Sequence, residues 1–310
     1  MIERKLKCGT PIYYASDWIE SVCYMYDEHY GDMSENVFCI NSNRDDMQTI
    51  HENTQNKKRV YVNLEHKHPI DKNGNITYCA EYWTNIINDM FRGQVDEVWD
   101  FQIENFAYFR HHNLESKYRF RPLRYTTWFD KYKTPVEPKY DIQMECVFDT
   151  NTRMWVANVL TQEPYKIQGD IIYKMGGRLT INITNTDKSE EKFRAKNECR
   201  YGFDAPHYDT PCTSNCTRIY EYVCMNKPVI VWDRDKTTSR EYFRDLCTYI
   251  YDFSAWNVKL ITNQKPRNDI AETYRQMTFS QKDYIEYCGN IIREHCDRTG
   301  KKIPDSVMYW

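Results

Sequence analysis

Residues 217–233, TRIYEYVCMNKPVIVWD, read as a helix, a short polar turn and a strand. The helix candidate spans 215–225. The strand candidate, PVIVWD (228–233), is short and apolar and carries proline at its first position, where sheets tolerate it. Working outward, the alternation repeats. YDIQMECVF (140–148) reads as a strand, TRMWVANVL (152–160) as a helix and RLTINIT (178–184) as a strand; SREYFRDLC (239–247) follows as a helix and TYIYDF (248–253) as a short strand. The N-terminal half has the same grammar. PIYYA (11–15), NVFCI (36–40), RVYVNLE (59–65) and VDEVWDF (95–101) are strand candidates rich in Val, Ile, Tyr and Phe. Between them lie helices at 79–91 and 102–111, and one starting at Asp17, with Glu20 completing a capping box. Strands alternating with helices predict an α/β fold with parallel sheets.

TPVEPK (134–139), with two prolines and charges, reads as an interdomain linker. The predicted organisation is an N-terminal α/β domain over 1–135 and a C-terminal α/β domain over 139–270. Residues 271–310 would add a helix, about 280–298, crossing back to the first domain. The length of 310 residues suits two domains with a core each. A hydrophobic share of 41% with 28% charged residues excludes a disordered chain. No apolar run approaches the roughly 20 residues of a membrane span, and MIERKLKCGTPIYY lacks the apolar run of a secretory leader, so no membrane association and a cytoplasmic location are expected. The 12 cysteines are scattered, several within apolar runs (Cys39, Cys79, Cys146, Cys247), and read as buried free thiols rather than a disulfide framework. The 26 tyrosines, with abundant Asn and Lys, fit an AT-rich coding origin such as a phage.

Open α/β sheets bind ligands outside the carboxyl ends of their strands, so residues just after strands carry the functional reading. Arg218 and Glu221 lie three apart on one helix face, near a helix N-terminus that itself favours anions. An Arg fork suits a diphosphate, and a carboxylate can accept from two ribose hydroxyls. From spacing alone the plainer reading comes first: a solvated i,i+3 ion pair worth tenths of a kcal/mol. Arg153, in VFDTNTRMWV (147–156), would project at a helix start, with an ordinary surface arginine as the alternative. Glu65 ends a strong strand and enters a loop with His66, Lys67, His68 and Pro69. It suits a general base for an inverting transfer, and His68 is a competing base; a loop carboxylate paired with Lys67 is the plain alternative.

The Arg-x-x-Glu helix, polar turn and apolar strand ending in Asp resemble the donor-binding segment of GT-B glycosyltransferases. Among them the chain is most similar to phage enzymes that glucosylate hydroxymethylated DNA bases. The resemblance covers roughly residues 59–130 and 140–253 at motif level. It implies two Rossmann-like domains with a cleft between them. It assigns donor phosphate to Arg218, ribose to Glu221, diphosphate to Arg153 and acid-base work to Glu65. The loop before Arg153 departs from the family, with Cys146, Phe148 and Asp149 where glycine is usual. The implied reaction moves a sugar, with UDP-glucose the expected donor, to a hydroxyl acceptor. No resident cofactor is implied, though Mg2+ or Mn2+ could neutralise the leaving diphosphate.

The implied acceptor is a 5-hydroxymethylpyrimidine in duplex DNA, reached by base flipping. Lys58 and Arg59, and Arg121 and Arg124 among aromatics, are the candidate DNA contacts. Residues 1–135 hold 17 Lys and Arg against 20 Asp and Glu, a balance of 17 − 20 = −3, so any DNA surface is a local stripe. The competing functions are a transferase of the same fold acting on a glycan, protein or small molecule, and a non-catalytic nucleotide-sugar-binding protein. His207, Cys212, Cys216 and Cys224 lack the paired C-x2-C knuckle of structural zinc sites, and no metal site is expected. No Walker loop and no G-x-S-x-G elbow is present.

Overall fold

The computed structural model describes residues 2–6, 9–14, 19–30, 36–40, 44–63, 80–102, 105–145, 151–186, 188–206, 216–233 and 243–277. The chain is α/β, and after Thr126 it passes from one compact unit to a second, Thr127–Met277.

In the first unit, β1 (Ile2–Lys5), β2 (Pro11–Tyr14), β3 (Asn36–Ile40), β4 (Lys58–Val62), β5 (Glu97–Asp100) and β6 (Tyr118–Phe120) form one sheet in chain order. β1 is antiparallel to β2; the other neighbours are parallel. Helices α1 (Glu20–His29), α2 (Arg44–Asn53), α3 (Ala80–Phe91) and α4 (Phe106–His111) alternate with these strands. The order never reverses. This differs from a doubly wound Rossmann sheet, which needs a strand to return beside an earlier one. On one face Trp99 meets Phe38 and the α1 rings Tyr26 and Tyr30; on the other, Tyr118 packs on Phe106 and Phe109 of α4. β4 stops at Val62, short of Glu65, and the start of α1 expected at Asp17 lies outside the described residues.

The second unit holds β7 (Tyr140–Glu145), the hairpin β8 (Tyr165–Gln168) and β9 (Ile171–Lys174), β10 (Ile181–Thr184), β11 (Cys199–Asp204), β12 (Val229–Trp232) and β13 (Thr248–Ile250). Its helices are α5 (Asn151–Leu160), α6 (Ser189–Asn197), α7 (Cys216–Cys224), α8 (Ala255–Thr262) and α9 (Ile270–Gln276). The main sheet runs β10-β7-β11-β12-β13, all parallel. Counted along its own five strands that order is 2-1-3-4-5, a doubly wound sheet that reverses between β7 and β11. The helix expected over 239–247 is described only from Phe243, where a 3-10 turn (Arg244–Leu246) follows. Arg244 takes φ 48, a left-handed value that an α-helical ladder does not accommodate.

Register sorts the two faces of this sheet. Ile142, Met144, Tyr201, Phe203, Ile230, Trp232 and Ile250 share one face and form a core with Val156, Leu160 and Val258 from α5 and α8. The opposite face carries Gln143 and Glu145 of β7, and Gly202 and Asp204 of β11. β7 thus alternates apolar and polar as a half-exposed strand would, yet α6 and α7 groups cover its polar side. Trp128, Phe129 and Tyr132, from the 3-10 segment Thr127–Tyr132, pack on Phe193 of α6 and so belong to this unit.

Gly202 sits beneath the Tyr222 ring of α7, and a Cβ there would lie 2.6 Å from ring carbons. Tyr222 is fully buried and its hydroxyl donates to the Gln143 carbonyl at 3.2 Å, so the ring has nowhere to retreat. Gly202→Ala should therefore lower stability by about 1–3 kcal/mol through overpacking. A denaturant titration checks this, and an unchanged midpoint would show that α7 can lift off β11.

Candidate functional site

Ligands of doubly wound sheets bind outside the carboxyl ends of the strands where the order reverses. Here those ends are Glu145, the last residue of β7, and Asp204, the last of β11. The helices that follow these strands, α5 and α7, bring Arg153 and Arg218 in their first turns. Arg153 is 4% exposed, and the Arg218 side chain only 10%. Arg218 donates to the Asp204 carboxylate at 2.7 Å, which pins the guanidinium to the carboxyl end of the central strand. Asp233, buried just past β12, donates its backbone N–H to the Ile250 carbonyl on the same edge.

Beneath this edge lies a buried cluster of four charges. Lys192 and Lys196, four apart on α6, each reach both Glu145 and Glu221. Lys192 Nζ stands 2.9 Å from Glu145 and 2.7 Å from Glu221; Lys196 Nζ stands 2.7 Å from Glu145 and also bonds Glu221. Lys196 lies over the Tyr222 ring, 4.5 Å from its centre. Both ammonium groups and Glu221 are almost wholly withdrawn from water. Burial alone acts to raise the Glu145 carboxyl, but Lys192, Lys196 and Arg218 outweigh it and hold the group well below the usual carboxylate range. For Lys192, burial acts to lower the ammonium, and Glu145 and Glu221 outweigh it and lift it above its ordinary value. Two carboxylates and two ammonium groups balance, which is the condition for keeping such groups in a dry interior.

Arg218 and Glu221 are therefore not a solvated pair. They share α7, but the arginine reaches Asp204 while the glutamate turns under α6. A ribose contact by Glu221 would require it to give up two lysines. A shallow polar hollow of about 280 Å³, lined by Asn182, Thr184, Thr186, Glu191, Arg194 and Glu198, lies at the outer edge of the sheet on β10 and α6, and includes neither arginine.

In the first unit the carboxyl edge is organised by Asp100, which is fully buried. Its carboxylate accepts from Asn63 and Asn105 side chains, both at 2.8 Å, and from the Gln102 backbone at 2.8 Å. Arg121 follows β6 at this edge, donates its backbone N–H to the Asp100 carbonyl, and stacks on Trp99 and Tyr30 at 4.6 and 4.9 Å. Arg124 lies over Tyr30 at 5.6 Å. Lys58 and Arg59 are at the other end, where β4 begins; Lys58 pairs with Glu97 at 2.8 Å, and the buried Arg59 pairs with Asp96 and donates to the Gly93 carbonyl. The structure thus brings Arg121 and Arg124 together and separates them from Lys58 and Arg59 by the length of a strand. Glu65, His68, His207 and Cys212 lie outside the described residues.

Sequence reading missed Lys192, Lys196 and Asp204 because it assigned no element to α6 or β11, and it passed over Glu145 although it lies in the strand read at 140–148. The signals were faint. SEEKFRAKN is charged throughout, like a solvated helix, though its acids lead and its bases trail as a helix dipole favours. CRYGFD carries Arg, Gly and Asp in what proves a central strand. Cys23, Cys39, Cys199, Cys224 and Cys247 are buried. Among the described residues no cluster of three or more His, Cys, Asp or Glu is placed to hold a metal, and no helix is long and apolar enough to cross a membrane.

The charge cluster sets a pH dependence. The folded Glu145 pKa is depressed, so its contribution is present above the ordinary carboxylate pKa of about 4 and is lost as pH falls through the folded value. The folded Lys192 pKa is raised, so its contribution is full below about 10 and is lost as pH rises through the folded value. Glu145→Gln should cost on the order of 3 kcal/mol at neutral pH and flatten the acid limb of stability against pH. Urea unfolding from neutral to acid pH checks it; an identical acid limb in the variant would mean the carboxylate is not held by the lysines.

No protein-family profile and no curated protein matches the chain. Among solved structures it is similar to a chain of the glycosylation-associated protein complex Gap123 from Streptococcus agalactiae, at 9% identity and a TM-score of 0.36. The match covers 91% of this chain and 55% of that one, so the chain spans about half the neighbour's length. A likeness at that score carries no argument about function.

Proposed function

We propose that the protein is a glycosyltransferase of the GT-B type, moving a sugar from a nucleoside diphosphate, UDP-glucose being the first donor to test, to a hydroxyl acceptor. The observation that carries this reading is the pair of withdrawn arginines, Arg153 and Arg218, opening the helices that follow the strands of the second unit's sheet that flank its reversal. A diphosphate laid across that edge would meet two helix starts and two guanidinium groups. Asp204 acts as the positioning residue for Arg218, and Glu221 and Glu145 hold α6 and α7 against the sheet, so the edge keeps its shape.

In the reaction the acceptor oxygen attacks the anomeric carbon as the bond to the diphosphate breaks. Negative charge grows on the leaving phosphate, where Arg218 and Arg153 would counter it. The acceptor proton passes to Glu65, with His68 as the second candidate. A hydroxymethylated base in duplex DNA is the acceptor implied by family resemblance, with Arg121 and Arg124 as the acceptor-side cations.

Calorimetry with UDP-glucose and a panel of nucleotide sugars tests the donor site directly. Arg218→Ala should weaken catalysis by the equivalent of about 2–4 kcal/mol, and Arg218→Lys, which keeps a charge beside Asp204, should remain folded while losing the two-oxygen grip. Failure of the wild-type protein to bind any nucleotide sugar would refute the reading. Transfer onto hydroxymethylated DNA, followed by NMR of the product anomer, tests acceptor and stereochemistry together. If the product is inverted, Glu65→Gln should slow transfer about 10²–10⁴-fold with donor affinity kept; undiminished turnover would remove Glu65 from the chemistry.

A further inference from the structure

We propose that β9 is a dimerisation edge, pairing antiparallel with β9 of a second copy of this chain about a two-fold axis at Ile172. The hairpin β8–β9 is inserted between α5 and β10, and all eight of its strand residues are exposed. Five of them are large and apolar: Tyr165, Ile167, Ile171, Ile172 and Tyr173 are 44–61% exposed. A two-stranded ribbon is marginal by itself in water, and this one leaves about half of each apolar side chain exposed. β8 lies against α8, which leaves β9 as the outer strand, and among the described residues no further strand bonds to it. Its edge has neither proline nor bulge to discourage pairing.

The ladder shows which groups point outward. Met175 donates its N–H to the Pro164 carbonyl at 2.9 Å, making Pro164 and Met175 a bonded pair. Antiparallel ladders bond at every second pair, so with this register Lys166–Tyr173 and Gln168–Ile171 are bonded as well. The main-chain groups of Ile172 and Lys174 therefore face away from β8. A two-fold axis at Ile172 sets its N–H and carbonyl against the carbonyl and N–H of Ile172 in the other copy. The rest of the edge then matches itself. Ile171 falls opposite Tyr173, and Asp170, exposed in the turn, falls opposite Lys174, twice over by symmetry. The segment DIIYK is thus self-complementary in charge only when antiparallel and centred on its middle residue. Gly169, the first of the two turn residues, has φ 60 as a II′ turn requires, which fixes the register that makes this so.

The five apolar side chains present on the order of 500 Å², at the upper range of patches on monomers. Pairing along β9 covers the share of this surface carried by Ile171, Ile172 and Tyr173, less than the roughly 1,200–2,000 Å² of a stable interface, so the dimer is a weak, concentration-dependent one.

Sedimentation of the full chain over a concentration series tests the proposal, with circular dichroism to confirm folding of each variant. Wild type should pass from monomer to dimer. Asp170→Lys and Lys174→Asp should each weaken dimerisation about 5- to 30-fold by placing like charges opposite one another, and the double exchange D170K/K174D should restore it. Ile172→Pro removes only an outward N–H, so it should spare the hairpin and abolish the dimer. A wild type that stays monomeric to several hundred micromolar, whether or not it binds vesicles of anionic lipid, would overturn the proposal. So would a dimer indifferent to these changes, or one that the double exchange fails to restore.

Discussion

Two glutamates and two lysines confined between α6, α7 and the polar face of β7 set the terms for the second unit. Each ion would be costly to dehydrate alone, and each has two partners of opposite sign. The cluster also bridges three elements far apart in sequence: the end of β7, the middle of α6 and the middle of α7. Apolar contacts would tolerate sliding of these helices by part of a turn. Four charges with four short contacts do not, because any slide leaves a buried charge without its partner. The reversal of strand order between β7 and β11 therefore has a fixed geometry, and Arg218, tied to Asp204, inherits it.

The two sheets solve different problems. In the first unit the strands follow chain order, and the carboxyl edge is knit by one buried carboxylate, Asp100, that collects one donor from just past β4 and two from the segment after β5. Arg121 there is sandwiched against aromatic rings rather than aimed at water. In the second unit the strand order reverses, and cationic groups cluster where it does. The basic residues singled out as a cluster before a strand, Lys58 and the buried Arg59, are satisfied by neighbouring acids at the amino end of β4.

The alternation of short apolar strands with helices is a local property, carried by β-branched and aromatic residues at intervals that any chain of this sequence would show. It determined the α/β class and placed β2 to β5, β7, β10, β12 and β13, as well as α1, α3, α5 and α7, close to where they stand. It also placed Arg153 and Arg218 near the starts of their helices, though the strand that leads to the second, β11, was not read. Tertiary structure alone decided the rest. SEEKFRAKN looks solvated until Glu145 and Glu221 arrive from elsewhere to neutralise its lysines. CRYGFD becomes a central strand because its glycine admits Tyr222 and its aspartate receives Arg218. Glu221 could be read as a ligand group or a surface group from spacing; its burial between Lys192 and Lys196 is set only in three dimensions, because those lysines stand on another helix. Charge is a residue property, but its partner is set by the fold.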